Sequence, residues 1–116
     1  MAVQILLDRR AEVGVQNDLG LTPLHMASQE GHLEVTQQLL SYGAEVDAQD
    51  ADGEAPLHLS AYYGHLGVTD FLLKHGANPQ GQNEEGETPF DLASKECHNE
   101  VAELLRVVMD GQSNET

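Results

Sequence analysis

The sequence predicts an all-α solenoid of about three and a half stacked helix-turn-helix units. The main observation is a pattern that recurs every 33 residues and is most complete between Asp50 and Gln82. In each full copy a proline opens a short apolar helix pattern, a Gly-His or Cys-His pair follows, and paired leucines mark a second helix. Units of this kind bury one continuous core by stacking on their neighbours.

The repeat spacing predicts a single domain over residues 1–110 and a flexible tail over 111–116. The boundaries of one half repeat and three full repeats fall at 1–16, 17–49, 50–82 and 83–110. The half repeat lacks a first helix, so we expect the apolar face of the next repeat to be less covered. We expect the last repeat to cap the array, because its second helix mixes charged and apolar residues, and we expect Gly111 to end that helix.

Capping signals lie at the ends of the predicted helices. Thr22 can accept a hydrogen bond from the first turn, and Pro23 suits the first helical position because no N–H is needed there. Gly31 is expected to end the first helix. Ala55 stands where Thr22 stands, so the central repeat is predicted to lack this cap. The polar stretch from Ala44 to Gly53 predicts an extended loop or hairpin.

The segment Thr22–Ala27 reads Thr-Pro-Leu-His-Met-Ala, and with a 33-residue period it resembles the ankyrin repeat family. Other positions that look like fixed points of that family are Gly31-His32, Leu39-Leu40 and Gly43-Ala44. The resemblance covers about residues 1–108. The last repeat departs from the pattern, since Asp91 replaces the motif histidine and Cys97 the glycine.

The resemblance implies protein binding through hairpin tips and the exposed side of the shorter, inner helices, which together form a concave face. The expected partner-binding positions are Leu19, Leu21, Gln29, Glu30, Asp52, Glu54, Tyr62, Tyr63, Glu85, Glu87 and Lys95. Tyr62 and Tyr63 are the expected centre, because tyrosines combine a large apolar area with a hydroxyl; ordinary packing between repeats is the alternative. The acidic tips either steer a basic partner or keep the array soluble.

Twenty acidic and five basic residues give a formal net charge of -15, which repels nucleic acid backbones and anionic membranes. We therefore expect a protein partner with a basic surface, and no nucleic acid or membrane partner. The lone Cys97 excludes an internal disulfide, and we expect it to act as a small, partly buried apolar residue. A monomer in the cytoplasm or nucleus fits these features.

The motifs of catalysis and metal binding are not found. His25 and His58 lie one repeat apart, and so do His32, His65 and His98. Stacked helix pairs separate equivalent positions by about 8–10 Å, too far to share a zinc ion, so structural histidines are favoured. The acidic stretch around Gly53 superficially resembles a calcium loop, but its first and twelfth positions would be alanine and leucine. No cofactor, no metal and no enzymatic activity are predicted.

The leading functional hypothesis is a non-catalytic protein-protein interaction module or scaffold. A structural spacer within a longer array, with partner contacts elsewhere, is the alternative. An enzyme or a calcium-binding protein is a third class, and calcium titration would discriminate it from the other two.

Overall fold

The computed structural model describes residues 13–114, which form α-helices in three consecutive pairs. The inner helices are α1 (Pro23–Glu30), α3 (Pro56–Tyr62) and α5 (Pro89–Lys95). The outer helices are α2 (Leu33–Ser41), α4 (Leu66–Lys74) and α6 (Asn99–Asn114). The predicted all-α repeat fold is confirmed over these residues. Most of the predicted half repeat, residues 1–12, lies outside the described part of the chain, as do residues 115–116.

The inner helices begin as their sequence signals predict. The Thr22 hydroxyl oxygen accepts a hydrogen bond from the His25 N–H at 3.2 Å, and Thr88 accepts from Asp91 at the same distance. Ala55 precedes α3 and offers no side-chain acceptor, so the predicted absence of this cap is confirmed. A threonine cap of this kind typically contributes about 1 kcal/mol, which leaves α3 with the weakest start of the three.

The outer helices end differently from one another. Gly43 takes a φ of 96° after α2, and the next residue, Ala44, donates its N–H to the Leu39 carbonyl at 3.1 Å. The prediction that Gly111 ends α6 is wrong, because the helix continues through it to Asn114. A glycine within a helix costs only about 1 kcal/mol. Gly111 is followed by a polar glutamine, whereas Ala44 supplies the small apolar residue that anchors the turn after α2.

The hydrophobic core lies between the layer of inner helices and the layer of outer helices. Leucines, valines and alanines supply nearly all of it, as the small number of aromatic residues requires. The fully buried leucine and valine side chains are Leu24, Leu57, Val68, Leu72, Val101 and Leu105. Burying each such leucine or valine contributes about 1.5–3 kcal/mol, so stacking stabilises every repeat through its neighbours.

Cys97 differs from its prediction. It is exposed rather than partly buried, and its φ of 63° is left-handed. It stands where Gly31 and Gly64 stand in the first two repeats, at the turn between inner and outer helix. Those glycines are each covered by a histidine ring of the next repeat. No described residue follows in the stack to cover Cys97, which explains its exposure.

Candidate partner-binding face

Each hairpin tip is folded around one side chain at its first position. An Asn or Asp oxygen accepts hydrogen bonds from the backbone N–H groups two and four residues later, at 2.9–3.0 Å. These residues are Asn17, Asp50 and Asn83. None of them was among the predicted site residues, although their spacing of 33 residues is itself a signal. They give all three tips the same backbone conformation.

Neighbouring tips are joined by backbone hydrogen bonds. The Ala51 N–H donates to the Leu19 carbonyl at 2.9 Å, and the Glu84 N–H donates to the Asp52 carbonyl at 3.0 Å. Within one tip, the Asn83 N–H donates to the Glu87 carbonyl at 3.0 Å. The loops are therefore hairpin-like, as predicted, and they form one continuous row beside the inner helices.

Two of the predicted site carboxylates have partners within the chain. The Asn83 side-chain amide donates to Glu54 at 3.2 Å and to Glu87 at 3.1 Å. Glu87 also accepts from the Lys95 ammonium at 2.6 Å. Burial raises the pKa of Glu54, partly offset by the Asn83 hydrogen bond. Lys95 and then Asn83 lower the pKa of Glu87. Glu54, Glu87 and Lys95 therefore stabilise the tips through these hydrogen bonds, in addition to lying at the surface.

The remaining tip residues differ in exposure. The Leu19 side chain is 65% exposed, whereas Leu21 is half-buried. Asp52 and Glu85 are exposed on the second and third tips. Glu30 is also exposed, at the end of α1. Carboxylates and one leucine therefore extend from the row of tips into solvent.

Gln29, next to Glu30, has a second function. Its side chain is half-buried, and its backbone carbonyl lies 2.8 Å from the His65 Nε2 of the following repeat. Gln29 therefore takes part in stacking as well as lining the end of α1.

Tyr62 and Tyr63 lie together at the end of α3. Their ring centroids are 4.9 Å apart, and the rings meet edge to face at 81°. Tyr62 is 37% exposed and Tyr63 is 47% exposed. Neither hydroxyl forms a hydrogen bond with any residue between 13 and 114. The pair therefore presents apolar area and two hydroxyl groups at the middle of the three repeats.

The motif histidines hold the tips against the inner helices. His25 Nδ1 accepts from the Thr22 N–H at 3.0 Å, so the proton of the neutral ring must lie on Nε2. That Nε2 then donates to the Glu54 carbonyl of the next tip at 2.8 Å. His58 repeats the arrangement with Glu87 at 3.0 Å. Their structural role was predicted from spacing. Among the described residues, no group of histidine, cysteine and carboxylate side chains could hold a metal ion.

The stacked helix pairs and their linked tips define a repeat protein of the solenoid class. Residues 1–83 and 27–114 match a family model described as "Ankyrin repeats (3 copies)", and together these matches cover nearly all of the sequence. The chain belongs to the ankyrin repeat family. Ankyrin repeats are generally protein-protein interaction modules. A search of curated proteins found no match. Within residues 13–114, no helix is both long enough and apolar enough to cross a membrane.

Proposed function

We propose that this chain is a non-catalytic protein-binding module whose partner contacts the hairpin tips and the ends of the inner helices. This binding face comprises Leu19, Leu21, Gln29, Glu30, Asp52, Glu54, Tyr62, Tyr63, Glu85, Glu87 and Lys95. The observation that carries the proposal is the exposed tyrosine pair at the end of α3, together with a row of tips that are already ordered. Tyrosines are enriched among the residues that dominate binding energy.

The ordered backbone of the tips lowers the entropic cost of binding a partner. A partner that meets a flexible loop must offset the entropy of ordering it, at about 0.5–1.5 kcal/mol for each immobilised side chain. Asn17, Asp50 and Asn83 have already fixed the loop backbone through hydrogen bonds within each tip. The contact energy of the whole binding face, Tyr62 and Tyr63 included, is then less reduced by ordering of the tips.

The charge of the binding face favours a partner with a basic surface. Every lysine and arginine between residues 13 and 114 already forms an ion pair with a carboxylate: Lys74, Lys95 and Arg106. Asp52 and Glu85 are exposed at the tips. Complementary charge mainly increases the association rate, and added salt reduces that gain. The same acidity supports our proposal that the chain has no nucleic acid or membrane partner. We also propose a monomer in the cytoplasm or nucleus, which fits a chain with a single cysteine.

The test is affinity capture of a partner by the full chain, followed by measurement of its dissociation constant. The double variant Tyr62→Ala, Tyr63→Ala should weaken binding at least ~10-fold, because buried tyrosines often contribute 2 kcal/mol or more. Val107→Ala removes an exposed apolar side chain from α6 and serves as the matched control, with unchanged affinity expected. Circular dichroism should show intact helices in both variants. An unchanged affinity of the double variant would contradict the proposed site.

A structural spacer is the second candidate. The observation that favours it is that Glu54, Glu87 and Lys95 form hydrogen bonds within the chain, and that the bond from Asn83 to Glu54 joins two repeats whether or not a partner binds. If this chain captures no partner while a version extended at its N-terminus does, the spacer role would replace the binding role.

A further inference from the structure

We propose that the partner also docks on an exposed apolar patch at the helix turn of the central repeat. This turn patch comprises Leu33, Tyr63, Leu66 and Gly67. The occupant it fits is a segment of the partner that carries apolar side chains flanked by lysine or arginine. The inference rests on the proposed function and extends it, because it adds residues of the outer helices and states the chemistry of one partner segment.

The turns between inner and outer helices form a second row, at the opposite end of the inner helices from the tips. The His65 ring packs over Gly31, where an added Cβ would lie 2.6 Å from its Nδ1, and its Nε2 lies 2.8 Å from the Gln29 carbonyl. The His98 ring covers Gly64 in the same way. The turn of the central repeat therefore has a described neighbour on each side.

Apolar side chains are exposed on this row of turns. Leu33 and Leu66 are the first residues of α2 and α4, and they are 37% and 39% exposed. Tyr63 precedes Leu66 by three positions, so their Cα atoms are at most about 11 Å apart. The edge-to-face contact with Tyr62 extends this apolar surface. Single exposed leucines are ordinary, whereas apolar residues that share one surface indicate an interaction site.

Gly67 leaves open space within the patch. It is exposed at the second position of α4, where α2 has Glu34 and α6 has Glu100. A Cβ added at Gly67 would lie 3.9 Å from Leu33 Cδ2, at ordinary contact distance. The side chain of Leu33 thus lies directly beside the start of α4. An apolar side chain of a partner has room to contact Leu33 there.

A second recess lies on the other side of Leu66. An open cavity of about 270 Å³ separates the central repeat from the last one, and its lining includes Leu66, Gly64, Asn99 and Val101. Leu66 therefore stands between two recesses. This spacing suits a peptide segment that buries more than one apolar side chain.

The charges around the patch are acidic, which favours a basic segment. Carboxylates occupy the positions equivalent to Tyr63 and Gly67 in both neighbouring repeats. These exposed residues, none of which forms an ion pair with any residue between 13 and 114, are Glu30, Glu34, Glu96 and Glu100. Lys95, the equivalent of Tyr62, is paired with Glu87. A second copy of this chain would bring like charges together, so complementary charge favours a different, basic partner.

The test uses a short amphipathic peptide of leucine and lysine as the probe, and measures its binding to the full chain by fluorescence anisotropy. The double variant Leu33→Ser, Leu66→Ser should weaken peptide binding at least ~5-fold, because it removes apolar area from the contact. The matched control, Leu19→Ser with Val107→Ser, removes two exposed apolar side chains away from the patch and should leave binding unchanged. Equal losses in the two double variants, or no loss in the first, would overturn the proposal.

Gly67→Gln provides an arm in which the fold is not weakened. Glutamine is favoured over glycine in a helix, so the melting temperature should not fall. Its side chain would fill the space beside Leu33, and peptide binding should weaken. Unchanged peptide binding in this variant would overturn the proposal.

The charge of the segment is tested on α2, which has an exposed glutamate near each end. Glu34→Lys, beside the patch, should weaken peptide binding more than Glu45→Lys, which lies beyond the other end of the helix. A peptide with glutamate in place of lysine should not bind. Equal effects of the two lysine variants would show attraction by net charge alone, and would overturn the proposal.

The captured partner separates this inference from the proposed function. Leu33→Ser with Leu66→Ser should weaken partner binding as it weakens peptide binding. An unchanged dissociation constant in that variant overturns the turn patch and leaves the proposed function standing. An unchanged constant in the variant Tyr62→Ala, Tyr63→Ala overturns the proposed site itself.

Discussion

His25 shows how one side chain connects residue, helix and repeat. Its Nδ1 satisfies a backbone N–H at the start of α1, and its Nε2 reaches the next tip. The repeat spacing was enough to predict that His25 and His58 are structural. The sequence did not reveal which atoms they contact, because that depends on how closely two repeats approach. Asp91 performs only the first function, as its short side chain requires.

Ser28 provides the first stability prediction. Its hydroxyl is fully buried in α1 and has no hydrogen-bond partner within the described residues, while Ala61 occupies the equivalent place in α3. Because a buried unsatisfied hydroxyl costs about 1–3 kcal/mol, Ser28→Ala should raise the free energy of unfolding by about 1 kcal/mol. Urea denaturation measures this change.

Ser60→Ala is the matched control for Ser28. The Ser60 hydroxyl is equally buried, but it lies 2.9 Å from the Thr69 hydroxyl. Its removal therefore breaks a buried hydrogen bond. We expect Ser60→Ala to destabilise the protein by about 1 kcal/mol. Two changes of the same sign would show that hydrogen bonding does not decide the effect of these serines.

Ala55 provides the second stability prediction. Ala55→Thr should place a hydroxyl where the hydroxyls of Thr22 and Thr88 cap α1 and α5, and should add about 1 kcal/mol to the free energy of unfolding. Thr88→Ala should lower it by a similar amount. A thermal melting temperature that does not rise in Ala55→Thr would contradict the proposed cap geometry.

At the scale of an element, the hairpin-like shape of the tips was predicted, whereas the side-chain hydrogen bonds that join neighbouring tips were not. Glycines and acidic residues between two helix patterns were sufficient to predict a hairpin-like loop. The link from Asn83 to Glu54 crosses from one repeat to the next. For Glu54 only a surface role was predicted, in partner binding or in solubility, because nothing in a linear pattern shows that two side chains 29 residues apart will meet.

The pH dependence of stability tests the environment of Glu54. Burial raises its pKa above the ordinary value of 4.5, and Asp50 and Asp52 add to the shift, whereas Asn83 and His58 oppose it. Between the two pKa values the folded state binds more protons than the unfolded state, so this group loses stability as pH rises. The variant Glu54→Gln has no carboxyl group at this position and so does not lose this stability. The free energy of unfolding of the variant minus that of the unsubstituted protein should therefore increase from pH 4 to pH 7.

Glu87→Gln is the control with the opposite sign. The pKa of Glu87 is lowered by Lys95, so its contribution is present at neutral pH and lost as pH falls below 4.5 through the lowered value. This variant should be less stable than the unsubstituted protein at pH 7, and the difference should shrink on acidification. Parallel pH profiles for the two glutamine variants would contradict the assignment.

At the scale of the whole molecule, the sequence predicted the stack well because a repeated pattern specifies each unit and its neighbour together. Helix pairs, capping threonines and core leucines all follow from one 33-residue unit. The end of α6 was less predictable, because no described repeat follows it to fix where it ends. The binding face follows from family resemblance, and its tyrosines remain a prediction that only a partner can test.

Hydrogen exchange of the chain with and without its captured partner tests the central claim most directly. We predict that binding slows exchange at tip residues 18–21, 51–54 and 84–87 and around Tyr62 and Tyr63. Exchange in the outer helices α2, α4 and α6 should stay unchanged beyond their first turns. Protection confined to the outer helices, with none at the tips or at the tyrosine pair, would contradict the account.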